Sequence, residues 1–215
     1  MKSVLVIGLG RFGKFMSKKL IEEGNEVLGV DINEARATAA LKFCQNVEIG
    51  DPTNEDFVES LGVNNFDICV VAIGDNFQAA LEITVLLKDY GAKYIIARAG
   101  VEVHKKLLLR NGADYVVYAE KESAERLAIK YGAKNIFDYI ELTDDYGIYE
   151  ISTPHNWIGK SILQANVRTK YNISILATKD SNEHIFPLPS PDYVFNNNDN
   201  LIVMSNKEDI SLITR

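Results

Sequence analysis

Histidine, cysteine, tryptophan and proline are all sparse in this chain: its 215 residues include 3 His, 2 Cys, 1 Trp and 5 Pro. Cys44 and Cys69 are far apart, lack CxxC spacing and lie in apolar stretches, so they read as buried, reduced thiols and not as a disulfide or redox pair. His104, His155 and His184 are scattered, with no second His or Cys at a ligand spacing, and no zinc site is legible. No run approaches the roughly 18 consecutive apolar residues of a membrane span. The first residues enter a strand directly instead of a cleavable signal segment, so a cytoplasmic protein without direct membrane insertion is expected. Positive charge is also in deficit. Lys and Arg number 23 against 30 Asp and Glu, for a net charge of −7, and the basic residues are dispersed. That excludes a basic stripe for nucleic acid or anionic lipid.

What is present begins at the first strand. The apolar run Val4-Leu5-Val6-Ile7 leads into Gly8-Leu9-Gly10-Arg11-Phe12-Gly13, and Asp31 ends the next apolar run. This is the pattern of a dinucleotide-type phosphate loop: Gly8 for the tight turn, Gly10 for close approach of backbone to a pyrophosphate, Gly13 for close packing of the following helix. The helix then points its unpaired N–H groups and positive dipole end at the phosphates. Asp31 lies 18 residues beyond Gly13, near the roughly 20-residue spacing of a ribose-binding carboxylate.

Short apolar runs alternate with amphipathic stretches through the first two-thirds of the chain, the pattern of a parallel sheet covered on both faces. Strands are expected at 3–8, 26–30, 46–49, 67–73, 93–97 and 114–118, with helices at 11–23, 34–43, 54–61, 77–90, 101–111 and 122–132. The result is a Rossmann-like, doubly wound α/β unit over 1–121, and its ligand belongs beyond the carboxyl ends of the strands. A crossover helix and linker follow over 122–137. The remainder, 138–215, reads as a small α+β domain: residues 137–151 alternate loosely, 173–178 and 201–205 read as strands, and 158–165 and 207–213 as helices. At about 75 residues it is near the lower limit for an independent core, so dimerisation is expected. Pro187-Leu188-Pro189-Ser190-Pro191 reads as an extended loop or sheet edge, because proline cannot donate a ladder hydrogen bond.

The loops at the strand ends hold the candidate chemistry. Arg11 is placed to fold back over phosphates, and an always-charged fork there suits a terminal phosphate as well as a pyrophosphate. Asp51-Pro52 fits the start of a helix, yet its loop also abuts the adenine side of such a cleft. Gly74 and Asn76 offer close backbone approach and one amide. Arg98 can bring a second cation, or stand as an ordinary surface arginine. Glu120 suits either a helix N-terminus or a carboxylate bridging metal or phosphate. A dehydrogenase needs a proton donor or acceptor beside its nicotinamide. Neither His155 nor His184 has an evident carboxylate to orient it, and the C-terminal piece is too small to enclose a substrate, so no catalysis is expected.

These residues resemble the RCK (regulator of potassium conductance) family, and within it the cytosolic Ktr/Trk-type subunits of potassium-uptake systems. The resemblance is carried by residues 6–13 (VIGLGRFG), 30–33 (VDIN), 50–51 (GD), 71–74 (VAIG), 112–114 (GAD) and 119–122 (AEKE), then by 159–162 (GKSI), 166–171 (NVRTKY), 174–177 (SILA) and 199–204 (DNLIVM). It implies a homodimer assembling into an octameric gating ring on an integral-membrane potassium-translocating subunit, at the inner face of the membrane, with ATP and ADP favouring different ring shapes. It places the nucleotide against Gly8, Gly10, Arg11, Phe12, Gly13, Asp31, Ile32, Asn33, Asp51, Ala72, Ile73, Gly74, Asn76, Arg98 and Glu120. Glu120 would also hold a divalent cation or Na⁺ at the dimer contact. Arg98 stands where many relatives have lysine, and Pro52 replaces a small residue. In some relatives the C-terminal dimer binds cyclic di-AMP; the matching positions are Ile162, Leu163, Asn166, Arg168, Ile175 and Pro189, which equally suit ordinary dimer core. Two other functions stay open on the residues: an NAD(H)-binding oxidoreductase or redox sensor, since Asp31 suits any adenosine ribose, and a cyclic di-AMP receptor with a vestigial N-terminal site.

Overall fold

The four residues Val4 to Ile7 are all buried, which requires apolar cover on both faces of their strand, and the chain supplies it with helices on either side. A computed structural model describes residues 1–132, 134–143 and 145–214. Ala133, in the expected connection, and Asp144 and Arg215, in the expected second domain, lie outside the described residues. The chain divides into two compact units, Met1–Glu120 and Lys121–Arg215.

The first unit runs β1 (Ser3–Ile7), α1 (Arg11–Glu22), β2 (Glu26–Asp31), α2 (Glu34–Ala40), β3 (Asn46–Ile49), α3 (Glu55–Ser60), β4 (Ile68–Val71), α4 (Phe77–Asp89), β5 (Ile95–Arg98), α5 (Glu102–Arg110) and β6 (Tyr115–Val117), before α6 (Ala119–Gly132). The strands are parallel in the order β3-β2-β1-β4-β5-β6, so the order reverses between β1 and β4, where a doubly wound sheet binds its ligand. Alternate residues of β1 feed separate cores. Leu5 and Ile7 pack with Val58, Ile83, Leu87 and Ile95, whereas Val4 and Val6 pack with Leu9, Val27, Cys44 and Val70.

The helix starts differ in a way that bears on function. Asn33, Asn54 and Asn76 cap α2, α3 and α4 through their side chains. Helix α1 starts at Gly10 with neither a side-chain cap nor an acid in its first turn. Its free N–H groups are therefore left for something outside the helix. The expectation that Asp51 and Pro52 start α3 is corrected: Asn54 is the cap, and the Asp51 carboxylate instead accepts the Thr53 N–H and hydroxyl, closing a turn on itself. Helix α6 begins at Ala119, three residues before the expected 122, so Glu120 rides on its first turn.

The second unit contains β7 (Ile136–Glu141), β8 (Tyr146–Ser152), α7 (Ile162–Ala165), α8 (Val167–Tyr171), β9 (Ser174–Lys179), β10 (Ile185–Pro187), β11 (Asn200–Asn206) and α9 (Lys207–Ile213). Its antiparallel sheet has the order β10-β9-β11-β8-β7. The loose alternation over 137–151 is a hairpin of two strands, and Pro187 ends the edge strand β10. Trp157, Phe195, Ile151, Ile173, Leu201 and Val203 form the centre of a single core. The helix expected over 158–165 is confined to α7, because Ser161 and Gln164 form a reciprocal capping box that fixes its start. Among the described residues, no helix is long and apolar enough to cross a membrane.

Candidate functional site

Three strand ends of the first unit are tied together at the glycine loop. Gly8 adopts φ +95°, a conformation that favours glycine, and its N–H donates to Val30 O at 2.7 Å, anchoring the turn to β2. A Cβ on Gly13 would lie 1.9 Å from Gly8 O, so only glycine lets α1 seat on the loop. A Cβ on Gly10 would meet nothing within 4 Å. Glycine there is not required by close packing, and it leaves open space at the N-cap of α1.

Asp31, 4% exposed at the end of β2, accepts the Leu9 N–H on Oδ2 at 2.7 Å and the Asn33 N–H on Oδ1 at 2.8 Å. The carboxylate thus staples the glycine loop to the β2–α2 loop, a role that its spacing alone does not reveal. Each oxygen has further acceptor capacity for a hydroxyl. Ile32 beside it is exposed, and Asn33 is occupied in capping α2. Across the order reversal, Ala72 donates its N–H to Ile7 O, and Ile73 packs on Gly8. Asn76 caps α4 through its oxygen, accepting from Ala79 N at 3.2 Å.

Arg98, at the end of β5, is not the free second cation that its position suggests. Its guanidinium pairs with Glu120 and sits 5.7 Å from the centre of the Phe12 ring. Gly74 makes the room, since a Cβ there would lie 2.5 Å from an Arg98 terminal nitrogen. Glu120 has its pKa lowered chiefly by a hydrogen bond from its own backbone N–H on the first turn of α6, then by Arg98 and, at longer range, Arg11. It is therefore an ionised carboxylate paired with Arg98. Among the described residues, no group of three or more His, Cys, Asp or Glu side chains is gathered to hold a metal. Arg11 itself is exposed at the loop.

Two cations escaped the sequence reading. Lys14 and Arg36 line a cavity of about 340 Å³ beside Gly10 and Arg11. The three-residue spacing of Arg11 and Lys14, which places both on one helix face, was the available signal.

Burial pushes the Cys69 thiol up to about 12 and raises Cys44 as well, which keeps both from acting as thiolates near neutrality. His104 stacks on Phe77 with ring centres 3.7 Å apart. His184, contrary to expectation, does have a carboxylate neighbour, Asp180 at 3.4 Å, in an exposed turn of the second unit. In that unit the expected second-ligand positions fall on one local segment, one strand and the stretch beyond β10. Leu163, Asn166 and Arg168 are exposed around α7 and α8, with Asn166 in a left-handed conformation (φ 49°). Ile162 and Ile175 pack on the core, and Pro189 is half-buried beyond β10.

Comparison with known proteins gives matches over both units. The TrkA-N domain family matches residues 4–119 and the TrkA-C domain family residues 148–215. The Ktr system potassium uptake protein C of Bacillus subtilis is 39% identical, covering 98% of this chain and 95% of its own. Protein A of the same system and organism is 38% identical, covering 97% and 94%. Among solved structures, a GsuK channel bound to NAD has the same fold (TM-score 0.70, 18% identity, covering 99% of this chain); this chain spans 38% of that one. The Kef C-terminal domain of Shewanella denitrificans in its AMP-bound form aligns with a TM-score of 0.52 at 29% identity, covering 60% of this chain and 77% of that one.

Proposed function

The chain belongs to the RCK family of TrkA-N/TrkA-C proteins, and from that premise we propose that it is a nucleotide-responsive regulatory subunit of a Ktr-type potassium-uptake system. The observation that carries the reading is the uncapped start of α1 at Gly10, set between the Asp31 carboxylate and the exposed Arg11. That combination provides N–H donors and a cation for phosphates, with a carboxylate for the ribose. The Ktr relatives supply the potassium-uptake context, and the NAD- and AMP-bound neighbours support an adenosine nucleotide.

Gating follows from differential binding. ATP carries more negative charge than ADP, and Arg11 meets that charge in one dimer geometry better than in another. The ring population then shifts toward that geometry. Glu120 bears on the same switch, because a cation bridging it to the terminal phosphate would have to compete with Arg98. A homodimer fits α6, none of whose described residues is buried and which exposes Leu127 and Tyr131; the ring and its membrane subunit follow from the Ktr relatives. The subunit performs no chemistry in this reading.

Potassium uptake by cells deprived of this chain tests the proposal. The wild-type chain restores nucleotide-dependent uptake, whereas Arg11→Ala restores protein but not the ATP response. Equal uptake with wild type and Arg11→Ala at every ATP:ADP ratio would contradict it. NAD(H) is the second ligand to test, on the strength of the Asp31 carboxylate, which suits any adenosine ribose.

A further inference from the structure

Glu120 is the carboxylate at which the family resemblance seats a cation, and its surroundings in this chain are already filled by one. Its Oε1 accepts from a terminal nitrogen of Arg98. The guanidinium is held from two further sides. The Phe12 ring of the glycine loop is centred 5.7 Å from its central carbon, and a Cβ on Gly74 would lie 2.5 Å from its other terminal nitrogen, so glycine makes the space it occupies. The Arg98 side chain is 23% exposed and that of Glu120 59%. The arginine is thus the fixed, inner member of the pair and the carboxylate the outer one.

A divalent ion held by one carboxylate and by nucleotide phosphates offsets negative charge on both of its neighbours. A guanidinium does the same work when a carboxylate meets one part of its planar fork and a phosphate another. Arg98 retains donor capacity for this, since its Nε is buried without a hydrogen-bond partner. Metal and arginine do not share the carboxylate easily. Two cations on one carboxylate repel each other, and an arginine cannot relieve the repulsion by losing its proton.

Building on the nucleotide reading above, we infer that in this chain Arg98 takes the place of a bridging metal: its guanidinium links Glu120 to the terminal phosphate of the nucleotide, and ATP binds without a divalent cation. The metal that the family resemblance places at Glu120 does not fit beside Arg98, and removing the guanidinium opens the carboxylate to it.

The test is binding of ATP to the full chain in EDTA and in excess Mg²⁺ at one fixed ionic strength, with wild type, Arg98→Ala and the double variant Arg98→Ala/Glu120→Gln. Wild type should bind ATP at least as tightly in EDTA as in Mg²⁺. Arg98→Ala should lose about tenfold in EDTA, the scale of one well-placed charge-assisted contact, and recover it in Mg²⁺, because the freed carboxylate then takes the metal. The double variant should lose that recovery. Circular dichroism confirms that the variants fold. If wild type needs Mg²⁺ to bind ATP, if Arg98→Ala binds as tightly as wild type in EDTA, or if Mg²⁺ fails to restore it, the exchange of metal for arginine is wrong and the nucleotide reading stands. If neither ATP nor ADP binds wild type under either condition, both are wrong.

Discussion

The first unit buries its sheet on both faces and the second on one, and the contrast shows where each can carry function. In the first, the four residues Val4–Ile7 and all of Cys69–Val71 are inaccessible, so the faces of the sheet are used up in two cores and a ligand is left with the loops at the strand ends. In the second, β8 and β11 alternate buried and accessible residues about one core, and exposed apolar side chains such as Phe137, Ile140 and Met204 remain on the sheet. The second unit thus keeps apolar side chains accessible on its sheet, whereas in the first the accessible space lies at the strand ends.

Removing one large side chain from each core should give the largest effects. Trp157→Ala in the second unit is expected to cost about 3–5 kcal/mol and Leu5→Ala in the first about 2–5 kcal/mol. The tryptophan loss is the more damaging because the smaller core has less to replace it. Urea unfolding followed by circular dichroism measures both; a cost under about 1 kcal/mol for Trp157→Ala would break the contrast.

Within the first unit, the loop glycines separate packing from ligand approach. Gly13→Ala, with its Cβ 1.9 Å from Gly8 O, should destabilise by about 1–3 kcal/mol. Gly10→Ala has open space and should change stability by under about 0.5 kcal/mol, yet weaken ADP binding. Unfolding curves paired with ADP titrations distinguish the two; a destabilised Gly10→Ala would show that this glycine serves packing after all.

Caps act locally and should erase the difference between the units. Asn76→Ala at α4 and Ser161→Ala at α7 are each expected to cost about 1 kcal/mol, although Ser161 carries a reciprocal capping box and Asn76 a single bond. The smallest effects come from acid. Asp67 is held below its ordinary 3.8 chiefly by the Ser3 N–H, and Asp138 chiefly by the Tyr139 N–H, with Arg126 and Lys130 adding to it. A carboxylate with a depressed folded pKa adds stability above its unfolded value and loses it as pH falls through the folded one. The stability difference between wild type and Asp67→Asn, or Asp138→Asn, should therefore be present at neutral pH and shrink below about pH 3.8. A difference that grows in acid would reverse the assignment.

The contrast between the units also governs what could be read from sequence. Parallel strands buried on both faces appear as unbroken apolar runs, so Val4–Ile7 and Cys69–Val71 were legible with their connecting helices. Over 137–151 two half-exposed strands give only loose alternation, and residues 142–145, which lie between β7 and β8 in the sequence, include no Gly or Pro. Short helices fixed by caps, such as α7, follow from Ser161 and Gln164 more than from periodicity. At the site, spacing identified Asp31 but not its bond to the Leu9 N–H. The Arg98–Glu120 pair joins residues 22 apart in the chain, a contact that exists only once β5 and the start of α6 are adjacent. Lys14 and Arg36 were missed for the same reason: their shared cavity needs α1 and α2 side by side.

The most direct measurement is calorimetric titration of the purified chain with ATP, ADP and NADH, with and without Mg²⁺, repeated on Arg11→Ala. ATP and ADP should bind wild type, with ATP weakened more than ADP by the substitution, because the added phosphate is the group that Arg11 meets. Binding of NADH alone, unaffected by the loss of Arg11, would contradict a nucleotide switch centred on the glycine loop.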